Sequence, residues 1–305
     1  MALFKESINC WSDWGRVYQS IPAFCDLAQA ILKKENLPLY NLEHLTPGTN
    51  AVFKVGEYVI KIFAPTESGI DQSSDLKTEI FSINRAKSLG VLTPKIIAVG
   101  FIEDSYRFDY IITEYIESKL FHDFSSDMSN CEKLLFGRKL REITDTLNTS
   151  CESFNSLDII LDKERNVRWN RYQDSFKEER LSYITGYDYG NRVFVHGDLC
   201  SDNILISQKG DIYIIDFADS VVAPICYEHG HIAVELFDFT RSYTKGFFGD
   251  CSVEELTDIC FNGLLIHDFG ADIIKEHVGD ELGFHTLEEL YKQIKGKIYA
   301  SISNS

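Results

Sequence analysis

Residues 195–206 read VHGDLCSDNILI, which puts a histidine, two carboxylates, a cysteine and an amide directly before an apolar strand. Asp198 and Asn203 bracket a short loop, so both side chains can face one side. A second polar residue group follows: after the QKG turn, DIYIIDF ends on Asp216 and Phe217. NILIS and DIYIIDF alternate as the two arms of a β-hairpin, and a hairpin returns its far end to its start, which brings Asp216 beside Asn203. A surface turn or a metal site would also use polar residues here. The order His-x-Asp, then Asn, then Asp-Phe fits phosphoryl transfer from a nucleotide. That chemistry needs a carboxylate to orient the attacking hydroxyl and hard oxygen ligands for magnesium. Asp198 is then the catalytic carboxylate, Asn203 and Asp216 are the metal ligands, and His196 is a structural residue bonding nearby backbone.

The same chemistry needs a cation for the nucleotide phosphates. Lys61 lies in YVIKIF, an otherwise apolar strand. A lysine buried there requires a partner, since an unpaired buried charge is costly; the alternative is a lysine reaching solvent from an edge strand. Glu79, on the following helix, is the expected partner, and the pair would aim the ammonium at the phosphates. The turn from Thr46 to Ala51, with Gly48, Thr49 and Asn50, occupies the place of a phosphate-covering loop. Glu114 and Ile116, in TEYIES, are expected to offer backbone groups to the base of ATP or GTP.

The elements that must position these residues fall into two regions. Ser20 and Pro22 open a helix with Phe24, Leu27, Ala28, Ile31 and Leu32 at helical spacing. HLTPGTNAVFKVGEYVIKIF reads as three strands with Gly turns. A helix from about Asp71 to Ser88 presents Leu76, Ile80, Ile83 and Leu89 and stops at Gly90. TPKIIAVGFIEDSYRFDYIITEYI reads as two strands. ESKLFHDFSSDMSN then breaks the pattern as a linker. Beyond it helical periodicity dominates, over about 131–149, 170–185, 228–246, 253–269 and 286–300, with the hairpin embedded. The expectation is an α+β fold of two lobes, residues 1–116 β-rich and nucleotide-binding, residues 117–305 mainly helical with the catalytic loop and acceptor site, and a ligand cleft.

Composition bounds the partners. The 305 residues suffice for a large core, and 44% hydrophobic and 13% aromatic residues are ordinary for a globular protein. Thirty Lys and Arg against 47 Asp and Glu leave a net charge of −17, which argues against nucleic acid and suits a small cationic ligand. No stretch approaches the roughly 18 apolar residues of a membrane span. The N-terminus does not read as a signal peptide. The eight cysteines form no C-x-x-C pair and read as reduced thiols, which suits a cytoplasmic protein, with a monomer expected.

HGDLCSDNILI followed by IIDFADS resembles the aminoglycoside phosphotransferase family, kinase-like enzymes that modify antibiotics and related small molecules. VIKIF, Glu79 and GVLTPKIIAVG resemble its N-terminal lobe. The segment around Trp169 resembles hygromycin-type members, and PICYEHGHIA is similar to the segment after the family's metal-binding Asp. The likeness covers most of residues 40–240. It implies a protein-kinase-like fold, ATP or GTP as donor, Mg2+ as cofactor, and a hydroxyl of a small molecule as acceptor, foremost an aminoglycoside, with resistance by inactivation. A metabolic kinase for choline, a sugar, an amino alcohol or a fructosamine, and a catalytically silent nucleotide-binding regulator, are the alternatives. Acceptors in this family sit against acidic residues of the helical lobe; Asp202, Asp219, Glu228, Glu235 and Asp238 are the candidates. The chain departs from the family at Cys200-Ser201-Asp202, where His-Pro is common; it reads DFA where protein kinases read DFG, a normal variation for small-molecule kinases. No A-P-E segment follows. His229 and His231 form an H-x-H that reads as part of a helix, a metal pair being the alternative.

Overall fold

A computed structural model describes the chain except residues 1, 47, 163–165, 281, 282, 304 and 305. Two compact units divide it: residues 1–119 with 205–218, and residues 120–204 with 219–305.

The first unit is built on an antiparallel sheet of strands β1 (Leu42–His44), β2 (Ala51–Val55), β3 (Tyr58–Ile62), β4 (Ile96–Glu103) and β5 (Arg107–Glu114), in the order β1-β2-β3-β5-β4. Helix Ile21–Lys34 covers one face. Ser20 caps it by accepting from the Ala23 N–H at 3.3 Å, and Pro22 sits in the first turn, where a missing N–H costs nothing. Its buried residues Phe24, Leu27, Ala28, Ile31 and Leu32 pack with Phe53, Phe108 and Tyr110 of the sheet. A preceding helix, Trp11–Val17, adds Trp14 to the same core. Each such aromatic, fully withdrawn from water, contributes about 2–3 kcal/mol.

Helix Ser73–Ser88 buries Leu76 and Ile83, while Leu89, expected on that face, is exposed beyond the helix end. Gly90 follows at φ +81°, a conformation that ends helices. The 96–114 hairpin, the three strands before it and this helix are the elements the sequence periodicity predicts. The linker after Ile116 instead holds a strand, β6 (Ser118–Leu120). β6 pairs with β8 (Ile204–Ser207), and β8 with β9 (Ile212–Ile214). This hairpin, which the sequence pattern embeds among helices, belongs with the first unit. The Ile214 N–H donates to the Leu92 carbonyl at 3.0 Å and ties it there.

The second unit is mainly helical. Its core gathers Trp169, Tyr172 and Phe176 with Leu264, Leu265, Leu290 and Ile294, drawn from helices Asp174–Gly186, Val253–Ile266 and Leu287–Ser303 and the turn before them. Two strands absent from the helical pattern, β7 (Arg192–Val195) and β10 (Val221–Pro224), pair antiparallel with Val195 opposite Val221. The single helix expected over 228–246 is three pieces: helix Ile225–His231, a π-helical turn Ile232–Leu236, and helix Arg241–Phe248. Asp238 and Phe239 break it at φ +42° and +56°, a left-handed region that non-glycine residues rarely adopt.

Candidate active site

The residues predicted to handle the nucleotide lie in the first unit. Lys61 sits on β3, opposite Val52 of β2 and Ile111 of β5, so its stem leaves a central strand among apolar neighbours. Its Nζ is 2.8 Å from Glu79 Oε2 and 2.8 Å from Asp216 Oδ1. The Lys61 and Glu79 side chains are only 10% and 7% exposed, whereas that of Asp216 is 44% exposed. Burial opposes the ammonium charge, and the Asp216 and Glu79 carboxylates outweigh it, holding the lysine pKa above its ordinary value. Burial likewise pushes the Glu79 carboxyl up, with Lys61 pulling the other way. Asp216 follows the hairpin at φ +59°, a left-handed conformation that Asp adopts more readily than most residues. This turn directs it at Lys61.

The loop between β1 and β2 is pinned from the N-terminal helix: the Trp14 indole N–H donates to the Thr49 carbonyl at 2.8 Å. Asn50 is buried with its Oδ1 unbonded. Gly48 is exposed and its backbone demands no glycine; Pro47 lies outside the described residues. At the end of β5 the Glu114 N–H donates to the Lys95 carbonyl at 2.9 Å, and the Tyr115 N–H to Glu57 at 2.8 Å. The Glu114 N–H is therefore already spent, which narrows what that residue's backbone can offer a base. The Ile116 carbonyl accepts from the Ser118 hydroxyl at 2.9 Å.

The second unit holds the loop predicted to be catalytic. β7 delivers His196, Gly197 and Asp198, and a 3-10 turn, Ser201–Asn203, returns the chain to β8. Asn203 is buried; its Nδ2 donates to the Asp198 carbonyl at 2.7 Å and to Asp198 Oδ2 at 3.0 Å. The amide thereby fixes the loop and the rotamer of the carboxylate together. Gly197 is required twice over. Its φ is +90°, and a Cβ there would lie 2.0 Å from the Asp219 carbonyl oxygen. The Asp198 N–H donates to His196 Nδ1 at 3.3 Å, in keeping with a structural His196.

Glu228 corrects one expectation. It is fully buried, so it is not open to an acceptor. Its Oε2 accepts from the His196 backbone N–H, and its Oε1 from Asn148 Nδ2 at 3.2 Å. Burial raises its pKa to about 7 against these hydrogen bonds. Glu228 thus supports the 196–203 loop through its backbone, and Asn148 supports Glu228, a role for which the sequence offers little signal beyond a carboxylate in a short helix that is buried from Tyr227 to His231. Glu235 and Asp238 are brought together by His277, whose Nε2 is 3.1 Å from Glu235 and whose Nδ1 is 3.1 Å from Asp238. Those bonds raise the His277 pKa to about 9, so this carboxylate pair already holds a cation. Asp202 is exposed, and Asp219 is partly buried with its carbonyl against Gly197. His229, a helix residue, packs edge-on against Phe247 and Phe248. Burial, then Asp198, pushes the Cys200 thiol up to about 12, which leaves it unreactive.

Residues 48–250, two thirds of the chain, match the model of the phosphotransferase enzyme family. The chain belongs to that family. Comparison with curated proteins by sequence finds no match. Solved structures similar to this phosphotransferase include wild-type aminoglycoside 2'-phosphotransferase-IIIa in its GDP complex (15% identity, TM-score 0.59, covering 92% of this chain and 99% of that one). The choline kinase LicA from Streptococcus pneumoniae is also similar (18%, TM-score 0.54, 90% and 99%), as is spectinomycin phosphotransferase with ADP and spectinomycin (14%, TM-score 0.53, 90% and 98%). At these identities the likeness is one of fold, and the α+β, protein-kinase-like architecture expected of the phosphotransferase is the one found. Among the described residues, no helix is long and apolar enough to cross a membrane.

Proposed function

We propose that this phosphotransferase moves the γ-phosphoryl group of ATP or GTP to a hydroxyl of a small cationic molecule, foremost an aminoglycoside or related antibiotic, which it would inactivate. The observation that carries this is the buried ammonium of Lys61 held between Glu79 and Asp216. A lysine fixed in this way and kept charged is built to meet phosphate oxygens. Asp198 orients the acceptor hydroxyl and takes its proton as the new P–O bond forms and the bond to the nucleoside diphosphate breaks. Asn203 keeps Asp198 in place. The Gly48–Asn50 turn covers the phosphates, and the backbone near Glu114 and Ile116 holds the base.

The oxygen donors of Asn203 and Asp216 suit magnesium. Asn203 commits its Nδ2 to Asp198, which leaves its amide oxygen as the group for a metal, and the Asp216 carboxylate is half-exposed. Bound there, magnesium would neutralise charge on the β- and γ-phosphates. The net charge of −17 favours a cationic acceptor, and among the acidic candidates Glu235 and Asp238, which already hold the His277 imidazolium, are the best placed to exchange it for a ligand ammonium. The fold likeness to a choline kinase supports a metabolic amino alcohol as the second acceptor class.

The test is purified protein with magnesium and ATP or GTP, incubated with aminoglycosides, spectinomycin and choline, and mass spectrometry for one added phosphate. A phosphorylated antibiotic supports the first acceptor class and phosphocholine the second. Nucleotide binding without any product would favour a silent regulator. Asp198→Asn should bind nucleotide and lose nearly all turnover; retained turnover would refute the assignment of Asp198.

A further inference from the structure

His231 ends the helix that begins at Ile225, three residues after Glu228. Its ring is buried, 1% exposed, and stacks on His267 with centroids 4.6 Å apart and an interplanar angle of 10°. Its Nε2 stands 3.6 Å from Asp198 Oδ1, while its Nδ1 is buried and makes no hydrogen bond. Burial lowers the His231 pKa to about 4, so the ring is neutral and carries one proton.

Which nitrogen carries that proton follows from the surroundings. A proton on Nδ1 would be a buried donor with no acceptor, and would turn the Nε2 lone pair toward a carboxylate. A proton on Nε2 avoids both penalties and points an N–H at Asp198. Asn203 Nδ2 then donates to Asp198 Oδ2, and His231 Nε2–H faces Oδ1. At 3.6 Å the second contact is too long for a hydrogen bond. Catalytic hydrogen bonds in ligand-free enzymes are often long and tighten once substrate is bound.

We infer that His231 is a positioning residue for the phosphoryl-transfer step, its Nε2–H setting the plane of the Asp198 carboxylate from the side opposite Asn203. This rests on Asp198 being the catalytic carboxylate. A neutral donor suits the task, because a cation there would suppress the basicity that Asp198 needs. Stacking on His267 keeps the ring from turning away, and the helix end that supplies His231 is the one whose Glu228 supports the loop backbone. One short helix therefore holds both the backbone of the loop and the side chain of its aspartate.

Two measurements test it. In the wild-type chain, long-range 1H–15N spectra should show His231 as the Nε2–H tautomer, with its Nε2 resonance moving in Asp198→Asn. An Nδ1–H tautomer, or an unmoved resonance, overturns the inference without reference to activity. In turnover of magnesium ATP or GTP, His231→Phe keeps a flat ring against His267 but has no donor, whereas His231→Gln restores an N–H. The Phe variant should lose roughly 10- to 100-fold in kcat, the worth of a hydrogen bond to a charged group, with the nucleotide KM unchanged. The Gln variant should recover most of it. Equal rates in both variants would mean that His231 only fills space and overturn the inference while the role of Asp198 stands. Undiminished turnover in Asp198→Asn would overturn both.

Discussion

Glu79 and Glu228 are buried carboxylates, one in each unit, and each supports a residue of the candidate site, but their charges are compensated differently. Glu79 faces the Lys61 ammonium, a full opposite charge. Glu228 faces neutral donors, the His196 N–H and the Asn148 amide. The ion pair holds the Lys61 pKa above its ordinary value, while at Glu79 burial still outweighs the lysine and pushes the carboxyl up. Neutral donors offset burial only in part, and the Glu228 pKa rises to about 7. The first unit thus holds a buried ammonium between two carboxylates, which we propose acts on a nucleotide; the second holds a backbone loop in place and leaves its support near titration.

The sharpest way to break this contrast is Lys61→Met. If the lysine's charge serves the nucleotide, turnover should fall roughly 10^2- to 10^3-fold, the usual cost of removing one electrostatic donor, with weakened nucleotide binding by calorimetry. Unchanged kinetics would mean that the ion pair is structural only. Gly197→Ala attacks the second unit through sterics. The added Cβ meets the Asp219 carbonyl at 2.0 Å in a backbone region hostile to L-residues. Strain and overpacking together should cost about 3 kcal/mol in denaturant unfolding; a shift below about 1 kcal/mol would show a loop that yields freely.

A third experiment follows the Glu228 proton. Its folded pKa lies above its unfolded value, so between pH 4.5 and about 7 the native state binds the extra proton. Stability due to this group is full below its unfolded pKa and is lost as pH rises through about 7, by about 3 kcal/mol. Glu228→Gln should flatten the stability profile over this window, and an unaltered profile would contradict the assignment. The smallest effect is expected from Glu79→Gln. Lys61 keeps Asp216, and the amide can still accept, so melting should register a loss of only about 1 kcal/mol.

The sequence made the loop legible where chemistry and chain proximity coincide. His196, Gly197, Asp198 and Asn203 are close along the chain and sit before an apolar strand, and a lone lysine in an apolar strand demands an acid nearby. Where the supporting residue is distant along the chain, no local pattern marks it. Glu228 lies 32 residues beyond His196, and its type alone suggested a ligand contact; only its burial reveals a brace. The broken helix at Asp238 and Phe239 escaped for another reason, since apolar periodicity runs on through a π-helical turn that shifts the register. β7 and β10 are four residues each, too short for a period-2 signal beside strong helical patterns. The hairpin is attached to the first unit by a backbone bond to Leu92, which no side chain encodes, as well as by the Lys61–Asp216 pair.

The most direct test of the central claim is to follow phosphorylated product by mass spectrometry for wild-type protein and Asp198→Asn side by side, with magnesium ATP and GTP, across the aminoglycoside and choline panel, while measuring nucleotide binding to both. Product from the wild type, with none or roughly 10^2- to 10^4-fold less from a variant that still binds nucleotide, is the result expected of a catalytic carboxylate. Equal product from both proteins, or a wild-type chain that binds no nucleotide, would contradict it.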